Sequence, residues 1–177
     1  MNLYILRHAS AGLRRPNPLL DIKRPLDKEG KKQCLQLAQV LNALDIQFDM
    51  IVSSPLKRCL QTASLIGTET GYEAKIQNSP ALAPTATLKD FQKLLQEYSN
   101  HENLLVVGHN PNLSIFLGSL LVPNSGPEAK IRLRKGSLAR VNLQRNTAVL
   151  QSLIDPRVVR ALYTTSIKSS RRKTSRK

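Results

Sequence analysis

Two arginines and two histidines stand at or just beyond the ends of predicted β-strands. Arg7 and His8 follow the first β-prone run of the chain, and His109 follows its most apolar run. Arg58 lies one turn into the predicted helix that follows another β-prone run, at 49–54. A lone histidine after a strand is more often a loop or capping residue. In open α/β sheets, however, ligands bind in the crevice beyond the carboxyl ends of the strands, so these four side chains together predict one site.

The four side chains have the chemistry of a phosphoryl-transfer site. The guanidinium fork of arginine matches the oxygens of a phosphoryl group and stays charged at every working pH. A charge pair at about 4 Å is worth roughly 4 kcal/mol at an effective dielectric near 20, so two arginines can hold a phosphate and stabilise its transition state. A neutral imidazole, whose free pKa is about 6.5, can attack phosphorus and form a phosphohistidine that water hydrolyses. This chemistry requires no metal or cofactor.

Other phosphate chemistries and metal sites find little support in the sequence. It contains no GxxxxGK[ST] loop, no GxGxxG motif and no GxSxG elbow. A Cys-x5-Arg loop starting at Cys59 would need an arginine where the chain has Leu65. The three histidines lack metal-ligand spacing, and His101 receives no role. Cys34 and Cys59 are expected to be buried, reduced thiols.

Strand and helix patterns alternate along the chain. Strands are predicted at 3–6, 49–54, 74–77, 104–108, 137–143 and 148–153. Helices are predicted after Asp27, over 56–70, 87–98 and 111–121, and from Pro156 onward. The alternation predicts an α/β fold, a three-layer α/β/α sandwich around a mostly parallel sheet. The last two strands, joined by a turn near Arg145 and Asn146, predict an antiparallel edge.

The segment between His8 and the first long helix is expected to be a proline-rich loop. Asp27 is the expected N-cap of that helix. Its apolar stripe should cover one face of the sheet. The stripe consists of Leu35, Leu37, Ala38, Leu41 and Leu44.

Length and charge predict one domain with a basic tail. With 177 residues, the chain can form a hydrophobic core without disulfides or metals. We expect a domain over residues 1–163 and a disordered, solvated tail over 164–177. The net charge of +15 falls to +9 without the last ten residues, which still favours phosphorylated or acidic ligands. A nucleic-acid role for the tail is the weakest alternative, because the chain shows no recognisable nucleic-acid module or aromatic platform.

The apolar runs of the chain are short. No stretch approaches the ~20 apolar residues that a membrane helix needs. The N-terminal apolar run is also too short for a signal peptide. The sequence therefore predicts a cytoplasmic protein with no membrane partner.

Three segments, in order, resemble the motifs of the histidine phosphatase superfamily, whose fold is phosphoglycerate mutase-like. Leu6-Arg7-His8-Ala9 resembles the Arg-His-Gly signature. Ser53-Ser54-Pro55-Leu-Lys-Arg58-Cys-Leu-Gln61-Thr62 resembles Ser-x-x-x-Arg-Ala-x-Gln-Thr. Val106-Val107-Gly108-His109-Asn110-Pro111 resembles the buried strand that ends in Gly-His. The resemblance covers about residues 1–163. It implies that His8 is the phosphorylated nucleophile and that Arg7, Arg58 and His109 form the phosphate pocket.

Within this superfamily the chain is most similar to the short, single-domain SixA-type phosphohistidine phosphatases. Arg24-Pro25-Leu26-Asp27-x-x-Gly30 resembles the segment before their first helix, and the stretch 150–162 resembles their usual ending. The resemblance implies removal of phosphate from histidine in the phosphotransfer domains of signalling proteins. A phosphorylated protein is then the expected partner, with phosphate or another oxyanion in the pocket.

The chain departs from the superfamily pattern at two places. Ala9 replaces the signature glycine. The segment after the third predicted strand, Ser79 to Thr85, lacks the carboxylic acid that larger members place there, and Asp90 is the nearest candidate. A phosphate ester needs a proton from such an acid, worth about 10²–10⁴-fold, whereas the imidazole that leaves phosphohistidine has a nitrogen with a pKa near neutrality. The departure favours a P–N substrate. The alternatives are a phosphomonoesterase for small phosphates and a non-catalytic phosphate-binding module.

Overall fold

A computed structural model describes residues 1–122, 131–145 and 147–164 of the chain. Six strands form one sheet, in the order β3-β2-β4-β1-β5-β6. The strands are β1 (Asn2–Arg7), β2 (Met50–Ser53), β3 (Gln77–Asn78), β4 (Asn103–Gly108), β5 (Leu138–Leu143) and β6 (Ala148–Ile154). The first four are parallel to one another, and β5 and β6 add an antiparallel edge next to β1. The predicted mixed sheet is confirmed.

In the described ranges, five helices connect successive strands and a sixth follows the last strand. They are α1 (Pro18–Ile22), α2 (Lys28–Ala43), α3 (Lys57–Glu69), α4 (Leu88–Glu97), α5 (Asn112–Leu121) and α6 (156–164), with a 3-10 turn at Pro80–Leu82. Asp27 caps α2 as predicted, since its side chain accepts from the backbone N–H of Gly30. None of the helices in the described ranges is long and apolar enough to cross a membrane.

Hydrophobic residues pack on both faces of the sheet, which confirms the three-layer sandwich. Along β1, Tyr4 and Leu6 belong to one core cluster, whereas Leu3 and Ile5 belong to the other. This alternation follows from the two-residue period of a strand. The first cluster includes residues of α2 and α3, and the second includes residues of α4 and α5.

The predicted apolar stripe of α2 is wrong at two positions, where the side chains are exposed. Leu35 is 41% exposed and Leu44 is 58% exposed. Cys34 is buried and completes the spacing 34, 37, 38 and 41, which places side chains on one face of a helix. Leu35 is rotated away from that face, and Leu44 lies at the C-cap, beyond the last helical turn.

Several boundaries also differ from the prediction. The third strand is Gln77–Asn78 rather than 74–77. The proline-rich segment contains the short helix α1, which begins with Pro18 at its first position and has Asn17 as its N-cap. The final helix begins at residue 156 as predicted. The expected turn residue Asn146 and residues 165–177 of the expected tail lie outside the described ranges.

Candidate active site

The carboxyl ends of β1, β2 and β4 lie side by side. β4 stands between the other two, with Arg7 opposite Gly108 and Ser53 opposite Val107. The backbone N–H of His8 donates to the Gly108 carbonyl at 3.1 Å. The sheet therefore brings the residues that follow these strands to one edge, where the sequence analysis expected a site.

His8 is buried and its ring is held by its own loop. Its Nδ1 lies 2.8 Å from the carbonyl oxygen of Ala9. A carbonyl only accepts, so Nδ1 carries the proton and Nε2 keeps its lone pair. Burial lowers the pKa of His8 to about 3; the Ala9 bond opposes this shift, while Arg58 and Arg7 add to it. His8 is thus neutral at pH 7 and has a free Nε2 lone pair.

His109 lies beside His8, with 5.2 Å between the ring centroids. Its Nε2 is 2.8 Å from the Ser54 hydroxyl oxygen and 3.3 Å from the Cys59 sulfur. The pKa of His109 is lowered to about 3, mainly by burial and to a smaller extent by the neighbouring His8, Arg58 and Arg7. Ser54 therefore orients a second neutral imidazole at the sheet edge.

Arg7 and Arg58 are anchored at one nitrogen and unpaired at another. Nη1 of Arg7 donates to the Leu133 carbonyl at 2.9 Å, and Nη1 of Arg58 donates to the Asp21 carbonyl at 3.1 Å. The Nε atom of each arginine is buried and has no hydrogen-bond partner among the described residues. Buried unpaired donors are costly, so an oxyanion that accepted from them would relieve a strained arrangement. The structure brings the four predicted residues together in one candidate pocket.

Asp21 and Arg24 also belong to this pocket, although sequence reasoning gave them no role. Arg24 is buried, donates to the carbonyls of Ala11 and Gly12, and pairs with Asp21 at 2.8 Å. Asp21 lies 3.4 Å from Arg58. The N–H of Arg15, followed by Arg24, lowers the pKa of Asp21 to about 2, so this carboxylate is ionised at pH 7. The sequence feature that could have indicated this role is Arg24 itself, because it lies in the segment that resembles the SixA group.

Asp27 fastens the loop after His8 to the first turn of α2. Its Oδ1 accepts from the N–H of Gly30 at 2.7 Å. Its Oδ2 accepts from the Ser10 hydroxyl at 2.8 Å and from the N–H of Gly12 at 3.0 Å. Burial alone would raise the pKa of Asp27, but these three donors outweigh it and lower the pKa. Asp27, which the sequence predicts as the N-cap of α2, thus also positions the loop after His8.

Residues of α3 hold the other side of the same loop. The N–H of Ala9 donates to Thr62 Oγ1 at 3.2 Å, and that hydroxyl donates to the Arg58 carbonyl at 2.7 Å. Gln61 Oε1 accepts from the N–H of Leu26 at 2.8 Å. The Gln-Thr pair of the second motif therefore connects the His8 loop to the helix that carries Arg58.

The segment after β3 provides no carboxylic acid. It forms the 3-10 turn Pro80–Leu82. Asp90, the nearest candidate in the sequence, is the third residue of α4. The Asp90 carboxylate accepts from the N–H of Thr87 at 2.9 Å and from its hydroxyl at 2.7 Å. These bonds lower the pKa of Asp90. Asp90 caps its own helix, in agreement with its expected place in a helix.

The two buried histidines make the stability of the fold depend on pH. Both have a pKa of about 3 when folded, against about 6.5 when unfolded. Below pH 6.5 the unfolded chain takes up protons that the folded chain does not, so stability falls as pH decreases toward the folded pKa. From pH 7 to pH 5, urea unfolding should show a loss of about 4 kcal/mol, about 2 for each histidine.

The aspartates with lowered pKa values contribute little to this change in stability, because their unfolded pKa of about 3.9 lies below the interval from pH 5 to pH 7. The double substitution His8→Asn and His109→Asn should flatten the dependence. An equal free energy of unfolding at the two pH values would show that the two histidines take up protons as readily in the fold as in the unfolded chain.

Comparisons with known proteins agree with this geometry. Residues 3–84 match the family model of the histidine phosphatase superfamily, branch 1. An uncharacterised protein of Picosynechococcus sp. is 30% identical over 158 residues, which cover 88% of this chain and 92% of that protein. Phosphohistidine phosphatase SixA of Escherichia coli is 26% identical over 129 residues, covering 72% and 78% of the two chains.

A solved structure shares the fold. The structure of the protein histidine phosphatase SixA complexed with tungstate has a TM-score of 0.78 and 23% sequence identity. The match covers 88% of this chain and 97% of that chain. Sequence and fold thus lead to one assignment: the chain belongs to the histidine phosphatase superfamily and has the fold of its SixA-type members.

Proposed function

We propose that this chain is a phosphatase that removes phosphate from phosphohistidine in signalling proteins through a covalent intermediate on His8. The observation that carries the proposal is the protonation pattern of His8. Its Nδ1–H donates to the Ala9 carbonyl, which leaves the Nε2 lone pair for phosphorus. The buried Nε atoms of Arg7 and Arg58 supply unpaired donors in the same pocket.

The first chemical step transfers the phosphoryl group to His8. The Nε2 lone pair forms a bond to phosphorus, while the bond from phosphorus to the leaving group breaks and its electron pair stays with the leaving atom. The Ala9 carbonyl stabilises the positive charge that develops on the His8 ring. Arg7 and Arg58 stabilise the charge on the phosphoryl oxygens in the transition state.

The second step releases phosphate. A water oxygen attacks phosphorus, the bond between phosphorus and His8 Nε2 breaks, and its electron pair returns to Nε2. The water gives up a proton and inorganic phosphate leaves. His109 is oriented by Ser54 at 2.8 Å and lies next to His8. We assign to it the role of hydrogen-bonding the phosphoryl oxygens in both steps.

Among the described residues, Asp21 and Asp90 favour a leaving group that needs no general acid. Asp21 has a pKa of about 2 and is ionised at pH 7. Asp90 is bound to Thr87 at the start of α4. Without a general acid, an alkoxide would leave about 10²–10⁴-fold more slowly. Imidazole leaves from phosphohistidine with a nitrogen whose pKa is near neutrality. These features support a P–N substrate.

The test compares three substrates without added metal. They are a phosphotransfer domain phosphorylated on histidine, p-nitrophenyl phosphate, whose phenolate leaves easily, and glycerol 3-phosphate, whose alkoxide leaves poorly. We expect turnover of the first two and a kcat/KM for glycerol phosphate lower by about 100-fold or more.

Each other outcome supports a different function. Glycerol phosphate turned over as fast as p-nitrophenyl phosphate would favour a broad phosphomonoesterase with an acid that arrives from elsewhere. Turnover of neither the phosphorylated domain nor p-nitrophenyl phosphate would favour a phosphate-binding module.

A further inference from the structure

Large apolar side chains are exposed along the segment that enters and forms α1. Leu13 is 91% exposed and Leu19 is 72% exposed. Leu20 and Ile22 are 49% and 45% exposed, and α1 contains no buried residue. We call Leu13, Leu19, Leu20 and Ile22 the α1 crest. Single exposed leucines are ordinary, but four large apolar side chains within ten residues indicate a surface that another molecule covers.

The α1 crest lies on the rim of the phosphate pocket. Asp21 stands between Leu20 and Ile22, and its carbonyl and carboxylate both contact Nη1 of Arg58. The N–H of Arg15 donates to the Asp21 carboxylate at 3.0 Å and closes the segment onto α1. A molecule that delivers a phosphoryl group to this pocket therefore arrives beside the crest.

Two exposed cations flank the same opening. Arg14 follows Leu13 and is close enough to Arg58 to lower its pKa. Lys135 is also exposed and lies near His8 and Asp27, whose pKa values it lowers. The N–H of Gly136 donates to the His8 carbonyl at 3.1 Å, which holds the Lys135 loop against the pocket. The rim thus combines an apolar face with positive charge.

We propose that the α1 crest, Arg14 and Lys135 form the docking surface for a folded phosphoprotein domain that presents apolar and acidic side chains around its phosphohistidine. The inference rests on the proposed function and names the chemistry of its partner. A small phosphate reaches the pocket without covering the crest, so the crest serves only a large substrate. Complementary charge increases the rate of encounter and selects the partner.

A protein explains this surface better than an anionic lipid bilayer. The crest and the cations border a pocket with buried unpaired arginine donors. The molecule that covers the rim must also place a phosphoryl group within reach of His8 Nε2. A phosphorylated protein domain does both, whereas a bilayer face delivers no phosphohistidine.

The experiment measures docking apart from chemistry. The probes are a phosphotransfer domain of acidic isoelectric point, phosphorylated with phosphoramidate, and p-nitrophenyl phosphate, which needs no docking. The crest variant is Leu19→Gln with Ile22→Gln, and Leu44→Gln is its matched control, because Leu44 is exposed beyond the far end of α2. The charge variant is Arg14→Gln with Lys135→Gln, and Lys75→Gln, before the amino end of β3, is its control.

The crest variant should lose about tenfold or more in kcat/KM for the domain, mainly through KM, and keep its kcat/KM for p-nitrophenyl phosphate within about twofold. The charge variant should lower the ratio of domain turnover to p-nitrophenyl phosphate turnover. Both control variants should match the native chain. Unchanged p-nitrophenyl phosphate turnover also shows that the crest variant is folded.

Three results would overturn the inference. Native-like turnover of the domain by the crest variant would do so and leave the proposed function standing. The same result together with lost binding to phosphatidylglycerol vesicles would assign the crest to a lipid surface. A native chain that hydrolyses p-nitrophenyl phosphate but not the phosphorylated domain would overturn the proposed function, and the docking surface with it.

Discussion

The His8→Asn variant is expected to lose phosphatase activity by about 10³-fold or more. Asparagine keeps a polar side chain of similar size but has no lone pair that can form a stable bond to phosphorus. Arg7, Arg58 and His109 remain, so the variant should still bind inorganic phosphate. The measurement is kcat/KM for p-nitrophenyl phosphate, together with phosphate binding by calorimetry.

A second measurement identifies the intermediate. Rapid acid-free quenching after mixing with a ³²P-labelled phosphotransfer domain should leave an acid-labile, base-stable label on the native chain and none on His8→Asn. His101→Asn is the matched histidine control, since His101 lies at the amino end of β4 and its Nδ1 contacts the Tyr98 carbonyl. Label retained by the His8 variant would move the nucleophile to another residue, with His109 the nearest.

The Gly30→Ala variant should be less stable than the native chain by about 2–3 kcal/mol, despite the higher helix propensity of alanine. A Cβ at this position would lie 2.9 Å from the carbonyl carbon of Ser10 and closer still to its oxygen. Either α2 or the loop after His8 must move. That loop also receives the Asp27 carboxylate, so kcat/KM should fall as well. Urea unfolding and p-nitrophenyl phosphate turnover measure the two effects.

Gly67→Ala is the matched control, because Gly67 also lies inside a helix. Its added Cβ would contact only the Cδ1 end of the Ile51 side chain at 3.2 Å and two atoms of Tyr72 at 3.6 Å. A flexible side-chain end can move, so this variant should stay within about 1 kcal/mol of the native chain. Equal stability of the two variants would show that the loop is not packed against Gly30.

The sequence by itself determined most of the elements and the edge of the sheet at which the candidate site lies. The apolar runs before His8 and His109 are short and rich in β-prone residues, as is typical of buried strands. Parallel strands align their carboxyl ends, where ligands bind. Asp27 was readable as a cap because an N-cap interaction spans three residues. The apolar period of α2 was readable too, but it could not separate Cys34 from Leu35, since both flank the same stripe.

Only the tertiary structure decided how the pocket is held. Arg7 reaches the Leu133 carbonyl, 126 positions away, and Arg58 reaches Asp21, 37 positions away. Neither the periodicity nor the local motifs of a sequence predict such contacts, because they depend on how distant segments pack around the sheet. The tautomer of His8 likewise depends on where the Ala9 carbonyl points. The sequence shows which side chains can do the chemistry, and the packed structure determines which nitrogen of His8 keeps its lone pair.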